Sequence, residues 1–426
     1  MIKTPFFSSK IWIAVLFFGF SIFLTFNRHS KSGVQNYHSE IWADKAGYYI
    51  YLPALFIVNF DGHNLPLNID KKTGNGFSVE DGIIKTKYTL GVALMQSPFF
   101  LAGHFLAKLM GYESNGFSLF YHKMINIAAV CYTFLAFIFL YLFLIRYLSP
   151  GVALVSLSSL YLGTNIFYYS IFETGMSHIY SFFLFACFIY LSPFVTRQHQ
   201  KKSFYLLFGV IIGLIIVVRP INVMFLPVYF IFNSIKFYDT KTALTNFLLV
   251  AAAAILVVLP QLFYWNYAFG NYFHYSYGQE GFSNWFAPKL VQLWFSTNNG
   301  WLVYNPMVFL ILAGCVILYK QHPQKSIGFT IYLLLISLVF ASWHDWSYGC
   351  SYGCRPYVEY YVIMALPLGF FIEKLSSKFT FRVLLIAMLV IFIGYNQKLM
   401  FSYDGCWYGG TWDSSELLRL VLSATK

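Results

Sequence analysis

Charge is scarce in this chain. Only 10% of its 426 residues are Asp, Glu, Lys or Arg, while 58% are hydrophobic. A water-soluble domain cannot cover that much apolar surface, so a soluble globular fold is excluded. The Gly-rich loops that cradle nucleotide phosphates are missing, as are the G-x-S-x-G and H-E-x-x-H patterns of serine and zinc hydrolases. Cysteine is sparse, with six residues in no common zinc spacing. There is no long-period repeat; the one duplication is local, Ser347-Tyr-Gly-Cys350 followed by Ser351-Tyr-Gly-Cys354. The apolar run Ile11–Phe26 ends Leu-Thr-Phe-Asn-Arg-His, without the small residues of a signal-peptidase site. It is expected to be an uncleaved first span with its N-terminus in the cytoplasm.

What the chain has is apolar stretches of membrane length. They fall at about 11–26, 119–145, 151–169, 177–196, 203–218, 220–235, 242–262, 301–319, 326–341, 357–372 and 380–395. The expectation is an all-α polytopic membrane protein of about 11 transmembrane helices, a single integral membrane domain over 1–426. The formal net charge of +12 could suit nucleic acid, but the basic residues sit singly or in pairs at span ends. They act as orientation signals and attract anionic lipid headgroups, so membrane lipids and not nucleic acid are the expected partners. The connections assigned to the cytoplasm carry Arg146; Arg197, Lys201 and Lys202; Lys236 and Lys241; Lys320 and Lys325; and Lys374, Lys378 and Arg382. Of the 16 acidic residues, only Asp239 and Glu373 fall on that side.

The outer side then receives the long loops 27–118, 263–300 and 342–356 and the tail 396–426, where recognition or chemistry belongs. Within the first loop, Asp61–Lys87 reads as turns and a candidate hairpin. Tyr88–Met110 is apolar enough to span, but a crossing there would turn the basic connections outward. It is placed as a re-entrant or interfacial helical hairpin broken near Pro98. Cys131, Cys187 and Cys315 lie within spans as small hydrophobes. Cys350, Cys354 and Cys406 fall outside, and a bridge from Cys406 to Cys350 or Cys354 would tie the tail to the last large loop.

The segment Glu40-Ile-Trp-Ala-Asp44-Lys-Ala-Gly-Tyr-Tyr49 follows the first span. On a helix, Glu40 and Asp44 share one face and Tyr48 continues it. A carboxylate at the interface, partly shielded from water, can act as a general base; the bland alternative is a solvated helix face. Arg219-Pro220 and Arg355-Pro356 are each expected to open a helix from the outer side, with Asn305-Pro306 placed similarly. Guanidinium groups at helix N-termini suit a phosphate headgroup. Equally, each Arg could snorkel to lipid phosphate or pair with a structural acid such as Glu359. His344-Asp345, and Glu173 with His178, are further candidates for substrate contact, against ordinary loop polarity. The aromatic loop Tyr264–Trp285 suits either sugar stacking or an interfacial belt.

Taken in order, Asp44-x-x-Gly-Tyr-Tyr-x-Tyr-Leu-Pro53, Lys87-Tyr-Thr-Leu-Gly-x-x-Leu-x-x-x-Pro98-Phe-Phe, Val218-Arg-Pro-x-Asn, Gly300-Trp-Leu-Val-Tyr-x-Pro306 and Ser351-Tyr-Gly-x-Arg-Pro-Tyr357 span nearly the whole chain. Together they resemble the GT-C fold glycosyltransferases, in particular the protein O-mannosyltransferase and lipid A aminoarabinose transferase group and their bacterial homologues. The resemblance implies an inverting transferase that uses a polyprenyl-phosphate sugar on the outer face. It implies Asp44 as base, with Arg219 and Arg355 on the donor phosphate. The family's adjacent Asp-Glu pair is absent; Glu40 is the near substitute. Some distant members use a divalent metal, but no acidic cluster here calls for one and no cofactor is expected.

The expected function is therefore transfer of a sugar from a polyprenyl-phosphate donor to a lipid, glycan or protein acceptor. Asp44 and Glu40 are the catalytic candidates. Arg219, Arg355, His344, Asp345, Glu173, His178, Tyr48 and Lys87 are the substrate and phosphate candidates. Short loops suggest a bacterial inner membrane with the active site on its periplasmic face. The alternative is a transporter or flippase for a lipid-linked or acidic solute, which would need ionisable groups at mid-membrane depth.

Overall fold

The computed structural model describes residues 9–31, 33–196, 200–233, 240–406 and 412–423. Arg197, Lys236 and Asp239, used above to assign sides, lie outside the described residues. The chain is mostly helical. It begins with α1 (Ser9–His29), followed by the short helices α2 (Asp44–Tyr49), α3 (Tyr51–Phe56) and α4 (Ile69–Lys72). The one sheet pairs β1 (Ser78–Glu80) with β2 (Ile83–Lys85) antiparallel, where turn residues promised a hairpin. The bundle continues with α5 (Gly91–Leu109), α6 (Leu119–Leu144), α7 (Pro150–Gly163), α8 (Ile166–Ile171), α9 (Ser177–Leu191) and α10 (Lys202–Val218). A 3-10 stretch Pro220–Val228 leads into α11 (Tyr229–Phe232), then α12 (Thr240–Phe269). The last part comprises α13 (Leu290–Phe295), α14 (Trp301–Tyr304), α15 (Met307–Gln321), α16 (Pro323–Ala341), α17 (Tyr361–Ser376), α18 (Phe379–Ser402) and α19 (Ser414–Leu422).

Among the described residues, six helices are long and apolar enough to cross a membrane: α5, α6, the Ser177–Phe194 stretch that starts with α9, α12, α16 and α18. Four further apolar helical segments are shorter: α7, α10, Pro220–Phe232 and α15. The expected stretch 151–169 breaks between α7 and α8. There the Asn165 side chain bonds the carbonyls of Tyr352 and Gly353 instead of sitting in a helix. The stretch 301–319 breaks at Asn305-Pro306, where Pro removes a helical donor. At the other end, α18 runs on to Ser402, so the first residues assigned to the tail are helical.

The stretch 88–110 is not a hairpin broken at Pro98. The helix α5 passes through Pro98 unbroken for 19 residues. Its start is pressed on Val217 and Val218 at the end of α10: a Cβ added at Gly91 would lie 2.3 Å from the Val218 nitrogen. Near its far end, His104 bonds the Tyr121 hydroxyl in the first turn of α6 at 2.6 Å. The end of α10 and the start of α6 lie at one end of the bundle, and α5 packs antiparallel along α6, with Tyr132 donating to the Met95 carbonyl at 2.7 Å. That end also receives the close of α1 and the opening turns of α9 and α17, which converge on the site below.

The segment between α1 and α6 forms its own apolar cluster, with Ile41, Tyr49, Leu52, Phe77 and Ile84 against Phe100 of α5, Tyr121 of α6 and Tyr264 of α12. The loop is thus a packed cap and not a tether. The large core of the bundle is aromatic. Trp301 stacks on Tyr357 at 3.9 Å, donates from its indole to Tyr361, and both rings are fully buried. Buried aromatics with satisfied polar tips combine apolar burial with fixed orientation.

Candidate active site at the Asp44–Arg355 pair

Five chain segments meet at the cap end of the bundle. Asp44 opens α2 and keeps 35% of its side chain exposed. Its Oδ2 accepts from Arg355 Nη1 at 3.1 Å and its Oδ1 accepts from the Tyr88 hydroxyl at 2.5 Å. Partial burial would raise the Asp44 carboxyl. The Arg355 charge, the Tyr88 hydrogen bond and nearby Lys87 outweigh it and hold the group below its ordinary range. Tyr48, one helical turn on from Asp44, lies with its ring 4.4 Å from Tyr88. The expected common face of Asp44 and Tyr48 is therefore present.

Two glycines make this contact sterically available. A Cβ at Gly47 would sit 2.2 Å from the Tyr88 ring, so only glycine lets that ring lie across α2 and reach Asp44. Gly91, by its fit against Val217 and Val218, brings the end of α10 and with it Arg219 to the same place. Between them, Thr89 bonds the Val218 carbonyl at 3.3 Å and the Leu90 N–H donates to Gln261 of α12 at 2.8 Å. The Lys87-Tyr-Thr-Leu-Gly motif is thus the joint that holds the cap to α10 and α12.

Arg355 is positioned by a turn of unusual backbone. Gly353 and Cys354 both adopt left-handed φ, 59° and 47°. Buried asparagines hold this loop. Asn165 donates to the Tyr352 and Gly353 carbonyls, Asn305 donates to Gly353, and Asn299 donates to Ser347 and Gly349. Asn305 therefore faces inward and supports the turn; it does not line an anion site. Farther along the loop a disulfide joins Cys350 to Cys406, one of the two pairings the sequence left open.

Neither arginine opens a long helix. Arg355–Tyr357 is a single 3-10 turn, and the segment after Arg219 is also 3-10. Proline fixed the turn but the following residues did not propagate an α-helix, so side-chain charge, not a helix dipole, carries any anion affinity. Arg219 takes the expected alternative partner: its Nη1 meets Glu359 Oε1 at 2.6 Å, and the other Glu359 oxygen meets His178 Nδ1 at 2.8 Å. Arg219 and Arg355 are close enough to disfavour each other's charge, so they share one site.

Glu40 is not on a common face with Asp44. The chain is not helical between them, and Ala43 has a left-handed φ of 47°. Glu40 instead turns inward, 5% exposed, toward His122 at 2.8 Å, Asn126 at 2.5 Å and His29 at 3.4 Å. Burial would raise its carboxyl, but the His122 hydrogen bond and the charge of His29 bring it down to about 2. Glu173 is also apart from Asp44, in an ion pair with buried Lys45 at 2.8 Å. Lys87 pairs with Glu280 at 2.6 Å and lies over the rings of Tyr88 and Tyr277.

His344 and Asp345 do not join the site. His344 is exposed against Trp343, and Asp345 accepts from the Ser347 N–H and hydroxyl in its own turn. The Trp-His-Asp-Trp sequence makes a local turn there. Of the other expected residues, Asp44, Tyr48, Lys87, His178, Arg219 and Arg355 come together. Sequence reasoning missed Tyr88 as a partner of Asp44, although Tyr88 stands inside the motif quoted above; Tyr277, from the aromatic loop Tyr264–Trp285, packs edge-on against Tyr88 at 6.2 Å. Among the described residues, no group of three or more His, Cys, Asp or Glu side chains is arranged to hold a metal ion. No protein-family model matches the chain, and no curated protein matches it.

Proposed function

We propose that this chain is a membrane glycosyltransferase of the GT-C type, working at the cap end of its bundle on the outer face of a bacterial inner membrane. The observation that carries the reading is the Asp44–Arg355 contact of 3.1 Å beside a second arginine, in a half-open site at the end of an apolar helix bundle. The full reading includes about eleven passes: α1, α6, α7, α9, α10, the Pro220–Phe232 segment, α12, α15, α16, α17 and α18.

The donor would be a polyprenyl-phosphate sugar, its phosphate lying on Arg219 and Arg355. An acceptor hydroxyl or amine attacks the anomeric carbon. The bond from that carbon to the phosphate oxygen breaks, and its electron pair leaves with the phosphate. The acceptor's proton passes to Asp44. Guanidinium groups held in place stabilise the departing charge without reorganisation. Arg355 serves both partners: while it holds Asp44 alone, the carboxylate is a weak base. A phosphate that shares Arg355 loosens that hold, so the base strengthens as the donor arrives.

Membranes containing the chain, supplied with a panel of radiolabelled polyprenyl-phosphate sugars, test this. Transfer of label to an acceptor, lost in Arg219→Ala and Arg355→Ala, is expected. Uptake or flipping of the labelled lipid with no new product would favour a transporter instead.

A further inference from the structure

Glu359 is the most deeply buried acid of the site, and the scheme above gives it no part. Its side chain is 1% exposed, as against 19% for Arg219 and 2% for His178. Arg219 Nη1 lies 2.6 Å from one Glu359 oxygen, His178 Nδ1 lies 2.8 Å from the other, and Arg219 and His178 are 3.4 Å apart. The three form a closed triangle with Arg219 at its open corner. Counting formal charges, Arg219 and Arg355 offset Asp44 and Glu359, so with neutral His178 this cluster carries no net charge. An anion entering the site makes it negative. If Arg219 turns toward that anion, Glu359 is left as a buried carboxylate short of a counter-ion, which is expensive.

We propose that His178 replaces Arg219 as the cation facing Glu359 when an anionic lipid phosphate binds, and takes up one proton from solvent to do so. The imidazole gains that proton and becomes imidazolium; Glu359 stays ionised and only its partner changes. The charged groups facing His178 are Glu359 and Arg219, with Arg355 farther off, and Tyr169 packs edge-on at 5.1 Å. Among the groups acting most strongly on His178, Glu359 is the one acid. Glu359 and His178 are then positioning residues: they hold Arg219 when the site is empty and release it when the phosphate arrives. This inference rests on the proposed phosphate site, and it makes binding and protonation reciprocal.

The test is binding of methyl farnesyl phosphodiester to the full chain in detergent, by calorimetry between pH 7 and 8.5. This probe carries one charge that does not titrate in that range. Repeating the titration in buffers of different ionisation enthalpy counts protons directly. The expected result is uptake of about one proton per ligand and a Kd that rises about tenfold per pH unit. His178→Gln keeps a hydrogen-bond donor but takes no proton; it should bind more weakly and with the same Kd at each pH. Tight binding by the native chain with no proton uptake overturns the partner exchange and leaves the phosphate site standing. Proton uptake that persists unchanged in His178→Gln also overturns it. Absence of binding at every pH removes the phosphate site itself and this inference with it.

Discussion

Glu40 and Asp44 stand four residues apart, carry the same charge, and have opposite surroundings. Glu40 is 5% exposed and enclosed by His122, Asn126 and His29 from α6 and α1. Asp44 is 35% exposed and held by one arginine and one phenol at the edge of the cap. The first is a structural pin that fastens the cap to two bundle helices; the second is left half-open at the rim, where the proposed site lies. A depressed carboxyl is common to both, so depression alone does not mark a catalytic acid. Access to solvent and the neighbourhood of two arginines separate them.

The comparison predicts a graded set of outcomes. Asp44→Asn should reduce transfer by about 10³-fold, measured as label transferred per folded molecule, because removal of a general base has that scale. Its melting temperature should be close to that of the native chain. Tyr88→Phe should lower transfer about tenfold, since a hydrogen bond to a charged group is worth about 1.5–3 kcal/mol. Glu40→Gln should invert the pattern. It should cost about 3 kcal/mol of stability in a detergent melt, as breaking a buried ionic cluster does, and leave transfer per folded molecule near native.

Acid should act on the same cluster. The Glu40 carboxyl is lowered from 4.5 to about 2, so its stabilisation is complete above pH 4.5 and is lost as pH falls toward 2. A melt series across that window should show a fall of about 3 kcal/mol for the native chain. Glu40→Gln should lack that component. The smallest effect is expected at Lys87, whose pair with Glu280 is about one-third exposed on both sides. Lys87→Ala should change stability by about 0.5 kcal/mol, less in high salt.

Much of the fold is legible in the sequence. Long apolar runs mark α6, α12, α16 and α18, and the Asn-Gly and Asp-Gly turns mark the small sheet. What is not legible depends on contacts distant in sequence. Asn165 breaks a helix to reach Tyr352 and Gly353, 187 and 188 residues away. The unbroken passage of α5 through Pro98 is likewise not written in its composition. In the site, the motifs pointed to Asp44, Arg219 and Arg355. They did not separate Glu40 from Asp44, because the left-handed backbone at Ala43 turns the two apart. Nor did they exclude His344 and Asp345, whose charges look functional in sequence and are engaged locally in space. Glu359 was foreseen as a structural acid for an arginine, and it holds Arg219.

The most direct measurement is a side-by-side turnover assay of Asp44→Asn and Glu40→Gln, each normalised to folded protein by its monodisperse fraction. Transfer that vanishes in the first and persists in the second is the predicted result. Persistence in Asp44→Asn at the native rate would contradict the placement of the base at Asp44, whatever the second variant did.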